Sequence, residues 1–471
     1  MNLIAAFLET ARRRGTHPAI ISGRGATISF AALAERSGRL AAGWEAAGIK
    51  AGDRVLLAMP VGIDLYAAIA ALWRLGAVIV FPEPAMGLTG IRRALEIVRP
   101  DALLVSGIYR ILPLLVPKLF GLRRLRLDES RVGDTVATLA AEHPALLSFT
   151  SGSTGRPKAI VRSHSFLAAQ NAALHGLIAP RHENEVDLVA FPVFVIANLS
   201  LGTTSVLPGW RMTRPDRASA AGILRQVEAH RVTRALVPPS ICEVLADHAE
   251  APPLEVIFTG GGPVFPDLLD RLSAKLPGAE IVAVYGSTEA EPIAHLPAAA
   301  ITAEEWVRMR RGGGILAGRP IGGLQLRIVD DEILVSGPHV NKGYLGGVGD
   351  TENKLHLDGE IWHRTGDAGT LDAEGKLWLH GRRAARVGAT YPFDVEAPAR
   401  MWPGVRRAAL LPELVPPTIV LDGVEPAPGL WQSQASALGE LRVVNGSVPL
   451  DRRHRAKIDY TALRRAFKDH Y

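Results

Sequence analysis

A single cysteine, Cys242, is all that 471 residues contain. This excludes an internal disulfide and a cysteine-built metal cluster, and it fits a reducing, cytoplasmic compartment. No apolar run suits a bilayer span. The longest, residues 64–81, carries Arg74 and Gly76 in its middle and reads as a buried helix followed by a strand. The opening MNLIAAFLETARRRG places its basic residues after the apolar ones and lacks a small-residue cleavage site, so an amphipathic helix is expected there and not a secretion signal. Charge of one sign is scarce as well. Lys+Arg 53 against Asp+Glu 47 leave +6, with the arginines scattered; this suits an anionic small molecule and falls short of a nucleic-acid footprint. Internal repeats and a low-complexity tail are absent. The length suffices for about three domain-sized units.

What is present is an alternation of strand and helix. AIISG and TISF read as a hairpin, and FAALAERSGRLAAGWEAAG is a helical pattern ending at Gly48. DRVLLAM, VIVF, ALLV, SFT, LVAF, RALV, LEVIF and IVAVYG read as strands, with helical patterns over residues 65–75, 88–98, 166–175, 218–230 and 267–275 between them. This predicts an α/β fold of mainly parallel sheets covered by helices. From Gly313 the rhythm becomes short strands with Asp-Asp-Glu and Asp-Ala-Glu-Gly turns, predicting a small antiparallel barrel or sheet. Residues 383–471 have the size of a small α+β module, with the hinge placed near residues 381–385. The expected organisation is a large unit over 1–381 and a small mobile one over 382–471. Residues 108–127, IYRILPLLVPKLFGLRRLRL, are apolar and basic and broken by Pro113 and Pro117. A packed connection is expected there, with a membrane-surface segment or the cover of an acyl tunnel as alternatives.

The chain is organised around residues 148–164, SFTSGSTGRPKAIVRSH. Gly152 and Gly155 let the backbone turn tightly toward an anion, Ser151, Ser153 and Thr154 add hydroxyls, and Lys158 adds a point charge. The order Gly-x-x-Gly-x-x-Lys differs from the Walker spacing that opens a helix. TSGSTGRPK resembles the phosphate-binding loop of the adenylate-forming superfamily, which includes acyl-CoA synthetases, peptide-synthetase adenylation domains and luciferases. Further segments match that superfamily in order. TGGGP, residues 259–263, ends an apolar strand and by resemblance borders adenine with Gly261, Gly262 and Pro263. In AVYGSTEAEP the resemblance puts Tyr285 against adenine, Thr288 near the α-phosphate and Glu289 on magnesium, with Gly286 also at the ATP site. A carboxylate beside a triphosphate requires a hard divalent cation between the like charges. The T-G-D aspartate maps to Asp367, on the ribose hydroxyls, and the G-R arginine to Arg382, on ribose or phosphate. Near the C-terminus Lys457 occupies the place of the superfamily lysine that reaches the α-phosphate and the attacking carboxylate.

The resemblance implies an AMP-forming ligase that uses ATP and Mg²⁺ to turn a carboxylic acid into acyl-AMP, with Thr154, Lys158, Arg382 and Lys457 in catalysis. The chain also departs from the common pattern. Ala384 stands at the usual charged hinge position, and VGATYPFDVEAP replaces the glycine-rich loop that lines the thiol path in typical members. The use of CoA is thereby left open. FPVFVIANLSLGTTSVLP and the closing D-x-R-H-x-x-K-I resemble the olefin β-lactone synthetases, through Phe191, Pro192, Phe194, Asn198, Gly202, Arg453, His454, Lys457 and Ile458. That family acts on long-chain β-hydroxy acids. Phe194, Asn198 and Gly260 are expected at the acyl group, with walls from residues 193–201, 260–263 and 290–294. An intramolecular closure by the β-hydroxyl would need no thiol. His295 and His454 are the histidines within reach of a base role, and neither is singled out. The competing readings are a ligase that forms a thioester with CoA or a carrier protein, and a non-catalytic nucleotide-binding homologue. The expected partners are ATP and a small carboxylic acid, with no nucleic acid. Contact with a membrane or a pathway enzyme and the oligomeric state stay open.

Overall fold

A computed structural model describes residues 1–82, 86–151, 157–212, 214–451 and 456–467. The described residues form three sheets. The first has six strands in the order Arg123–Arg124, Ala102–Val105, Arg54–Ala58, Val78–Phe81, Pro144–Ser151 and Pro157–Ser163. All its pairings are parallel except the last. In the second and larger sheet, Glu280–Ser287, Val256–Gly260, Arg234–Val237, Val186–Val189, Thr204–Val206 and Pro18–Ile21 run parallel to one another. Thr27–Ser29 closes one edge of this set as the expected hairpin.

The antiparallel strands expected after Gly313 are Ile315–Pro320, Gln325–Val329, Glu332–Ser336, Lys354–Leu357, Glu360–Leu371 and Leu377–Arg382. They continue the larger sheet through Ala290–Pro297, which pairs with Glu280–Ser287 on one side and with Ile315–Pro320 on the other. A third sheet of Val405–Leu411, Thr418–Gly423 and Arg442–Asn445 carries the C-terminal part.

Parallel strands are buried on both faces, which is why they read as continuous apolar runs. Helix Ile63–Leu75 shows the same logic. Every residue from Leu65 to Leu75 except Ile69 is buried, because the helix lies in one core with Val55, Ile79 and Ala145 of the first sheet and Val189, Leu236 and Phe258 of the second. Its left-handed cap is Gly76, φ 71°. Cys242 is fully buried on the opposite side of the larger sheet, and burial pushes its thiol up to about 12.

Residues 107–121 fold as short turns: Gly107–Ile111, Leu112–Leu115 and Pro117–Gly121. Leu112, Val116 and Leu119 pack inward against the first sheet, as expected of a connecting segment. No described helix is long and apolar enough to cross a membrane.

Helix Pro392–Arg400 joins the larger sheet to the third. Ala397 packs with Phe265 and Ile293, while Val395 and Ala399 pack with Leu410 and Trp431. At its end Arg400 is bidentate to Asp267 at 2.8 and 3.0 Å and reaches Glu243 at 3.2 Å.

Candidate active site

Strands Pro144–Ser151 and Pro157–Ser163 pair antiparallel, with Thr150 opposite Lys158 and Ser151 opposite Pro157. The phosphate-loop sequence therefore connects two paired strands, and the element that follows it is a strand and not the helix that Walker spacing opens. Gly152, Ser153, Thr154 and Gly155 lie outside the described residues. Lys158, just past the tip, places its Nζ 5.5 Å from the Tyr344 ring centroid, within cation–π range.

Thr288 and Glu289 fill the two-residue turn between Glu280–Ser287 and Ala290–Pro297, where Ser287 faces Ala290. The turn is pinned from both sides. Arg162 donates to the Thr288 carbonyl at 2.7 Å, and the Asn341 amide donates to the Glu289 carbonyl at 2.7 Å. The Glu289 carboxylate accepts from the Tyr344 hydroxyl at 2.9 Å. Burial, together with the charge of Glu289, raises the Tyr344 pKa, so this hydroxyl stays a donor. Behind it lies Lys354, whose ammonium donates to the Asn341 carbonyl and sits 5.2 Å from the Tyr344 ring centroid. Burial lowers Lys354 to about 8, opposed by Glu289 and Asp350. Beside it, burial and the Lys354 charge bring His363 down to about 3. Sequence reasoning missed Arg162, Asn341, Tyr344 and Lys354. Only the aromatic residue in the turn-rich stretch NKGYLGG offered a signal for any of them.

A single carboxylate suits magnesium when a triphosphate supplies the other oxygens. Among the described residues no group of three or more His, Cys, Asp or Glu could hold a metal ion by itself.

Tyr285 lies on the same strand as the turn. Its hydroxyl donates to Asp367 Oδ2 at 2.8 Å, and the other oxygen of Asp367 is 3.3 Å from Arg382. Asp367 and Arg382 face each other in the pairing of Glu360–Leu371 with Leu377–Arg382, so register brings together two motifs fifteen residues apart. Burial, with the Asp367 carboxylate, raises the Tyr285 hydroxyl well above its ordinary pKa.

The glycine turn leaves the neighbouring strand, where Gly260 faces Val284. Gly261 has φ +77°, and a Cβ there would stand 3.2 Å from the Phe191 ring. Against Gly262 sits Ala456: an added Cβ would meet the Ala456 Cβ at 2.6 Å. The segment bearing Lys457 is thus packed on the glycine turn. Asp451 holds that segment, accepting from the amides of Ala456 at 2.9 Å and Lys457 at 2.8 Å. Lys457 is exposed.

On the acyl side, helix Pro192–Leu201 buries Phe194 edge-on to Phe191 at 5.8 Å. Asn198 has a different task from the one expected. It is fully buried and donates its amide to Asp187 at 3.0 Å and Ser205 at 3.1 Å, bracing a carboxylate that is paired with Arg234 at 2.7 Å. A charge pair this deep needs its remaining lone pairs satisfied, and the Asn198 amide does so. His295 is half-buried with its pKa lowered by burial, and His454 lies outside the described residues.

Tyr285, the Thr288–Glu289 turn and the glycine turn thus lie at the C-terminal ends of two adjacent parallel strands of the larger sheet, with Asp367 and Arg382 against Tyr285 and Lys158 and Arg162 reaching over from the first sheet. The model of the AMP-binding enzyme family matches residues 7–345. The chain belongs to the AMP-binding enzyme family. This AMP-binding enzyme is an AMP-forming ligase that activates a carboxylic acid by adenylation. It is similar to the olefin β-lactone synthetase of Xanthomonas campestris pv. campestris, with 30% identity over 97% of this chain and 96% of that one. Among solved structures, the amide bond synthetase McbA of Marinactinospora thermotolerans superposes with a TM-score of 0.82 over 99% of this chain and 100% of that one, at 21% identity. The O-succinylbenzoate coenzyme A synthetase of Bacillus subtilis, solved with ATP and a magnesium ion, superposes with a TM-score of 0.75 over 95% and 97%, also at 21% identity. The expected adenylate-forming fold is therefore the observed one.

Proposed function

We propose that this AMP-binding enzyme converts a long-chain β-hydroxy acid to its acyl adenylate and then to a β-lactone. The observation that carries the reading is the correspondence with olefin β-lactone synthetase along nearly the full length of both chains. The replaced segment after Arg382 supports it. Val387 and Thr390 exchange two backbone hydrogen bonds across a tight turn, and Tyr391 donates to Asp331 at 3.0 Å. This stretch is folded back on the larger unit where typical members carry the thiol-path loop.

In the first step a substrate carboxylate oxygen attacks the α-phosphorus of ATP and pyrophosphate leaves. Amides and hydroxyls of residues 151–154, with Lys158 and Lys457, spread the charge of the transition state. Glu289 would hold Mg²⁺, which when bound would offset part of the triphosphate charge. Tyr285 and the glycine turn take adenine, and Asp367 with Arg382 takes the ribose. Residues 1–381 supply these groups apart from Arg382, and residues 382–471 supply Arg382 and Lys457.

In the second step the β-hydroxyl oxygen attacks the acyl carbon and AMP departs with the bonding pair. The hydroxyl proton passes to solvent. Closure within one molecule gains from effective molarity, and the anhydride supplies the energy for ring strain.

The test is mass spectrometry of products from the protein, MgATP and a long-chain β-hydroxy acid, with and without CoA. The expected product is lighter than the acid by one water, independent of CoA, with AMP and pyrophosphate released. A thioester formed only with CoA would replace the lactone reading with a thioester ligase. Absence of pyrophosphate release with any carboxylic acid would remove the catalytic reading.

A further inference from the structure

The function leaves the segment over residues 107–126 without a task. Its outer side is unusual. Of the fifteen large apolar side chains exposed among the described residues, five lie in residues 108–120: Ile108 (76%), Ile111, Leu114 (70%), Leu115 and Phe120. Pro113 and Pro117 break the stretch into short turns. Leu112, Val116 and Leu119 face the core, so the same turns present the other apolar chains outward. The preceding helix Gly87–Val98 adjoins this face: Arg92 donates to the Leu115 carbonyl at 2.8 Å, and Lys118 pairs with Glu96 at 2.9 Å.

Charge follows the same patch. Residues 107–126 hold five basic side chains and no acidic one, and residues 88–126 hold eight basic against two acidic. That stretch alone equals the net +6 of the whole chain. All eight basic residues are exposed, and Arg124 lies 5.2 Å over the Phe120 ring. A two-fold contact between copies would set this positive face against itself. An apolar centre rimmed by bases instead matches a surface that is apolar inside and anionic outside.

We propose that residues 107–126, with the adjoining face of helix Gly87–Val98, dock this enzyme on an anionic phospholipid surface. The five apolar side chains enter the headgroup region and the arginines meet lipid phosphates. The contact is peripheral. Strand Ala102–Val105, which leads into the segment, runs parallel to Pro144–Ser151 with two strands between them. The docking segment leaves the sheet at the same end as the strand that precedes the phosphate loop, then crosses the sheet face and returns at Arg123, opposite Ala102, so docking brings the face beside that end to the phase in which a long-chain acid dissolves.

The experiment is flotation of the full chain with vesicles of phosphatidylcholine alone or mixed equally with phosphatidylglycerol, at low and high salt. Binding is expected to the mixed vesicles and to weaken with salt. The triple variant Ile108→Ser, Leu114→Ser, Phe120→Ser should lose about tenfold in partitioning per side chain that enters fully. Arg123→Gln with Arg124→Gln should lose about fivefold per charge. Unchanged thermal unfolding and unchanged ATP–pyrophosphate exchange with a water-soluble acid show that the variants fold. Binding that ignores lipid charge, no binding, or undiminished binding of the triple variant overturns the proposal. So does self-association, or capture of an acidic protein, that the triple variant abolishes without any lipid binding by the parent. None of these results bears on lactone formation, which is read in detergent-free assays without vesicles.

Discussion

Glu289 illustrates how the site is set residue by residue. A carboxylate at a turn has several rotamers, and the Tyr344 hydroxyl at 2.9 Å selects one. Replacing that donor while keeping the ring should loosen the metal and leave the fold intact. Tyr344→Phe is expected to raise the magnesium concentration for half-maximal ATP–pyrophosphate exchange by about 10–100-fold, the usual cost of losing a group that orients a ligand. In the proposed mechanism Lys457 acts differently, by charge in the transition state. Lys457→Ala should lower the adenylation rate about 10²–10³-fold with little change in ATP affinity, measured by pyrophosphate release and by equilibrium binding of ATP.

At the scale of elements, the site depends on how the C-terminal segment meets the glycine turn and how helix Pro392–Arg400 is anchored. Gly262→Ala would drive a methyl into Ala456. It should slow adenylation by up to about a hundredfold through displacement of the lysine segment, with the unfolding midpoint in urea nearly unchanged. Arg400→Ala should do the reverse. It removes the bridge between Asp267 and Glu243, made at 2.8–3.2 Å, leaving Asp267 with Arg271 at 3.7 Å and Glu243 with Arg407 at 2.9 Å, and should cost about 3 kcal/mol in urea unfolding. The alternation of apolar strands and amphipathic helices was legible because both periods are local. The motif residues were legible because glycine turns and strand ends have fixed chemistry. Tyr344 was not, since it reaches Glu289 from a turn-rich stretch with no period, and neither was Lys354, which opens a short strand and meets the Tyr344 ring and the Asn341 carbonyl across the chain. Asn198 looked like a ligand contact because a polar residue in an apolar helix has few roles, and its partner Asp187 lies on a separate strand. The joining of the antiparallel strands to the parallel ones rests on edge pairing of Ala294 with Pro320 and His295 with Arg319, which no local pattern encodes.

For the whole molecule, one buried acid ties three elements together and makes stability depend on pH. Glu396, on helix Pro392–Arg400, is fully buried, accepts from the Leu410 amide at 2.9 Å and from the Tyr460 hydroxyl, and is pushed up to about 7 by burial. In the unfolded chain it titrates near about 4.3. Between these values the folded form keeps a proton that the unfolded form has released. Its contribution is therefore complete below about pH 4.3 and is lost as pH rises through 7, at up to about 1.4 kcal/mol per unit. Glu396→Gln should flatten that slope in urea titrations between these pH values and should be the more stable form at alkaline pH. The buried thiol has a practical side. Cys242 is the sole cysteine of the chain, sealed in the core and almost wholly protonated at neutral pH. Spectroscopic labels attached to pairs of introduced surface cysteines would therefore report only from the chosen positions. Distances between the third sheet and the ATP site can be followed through turnover without first removing a native reactive group.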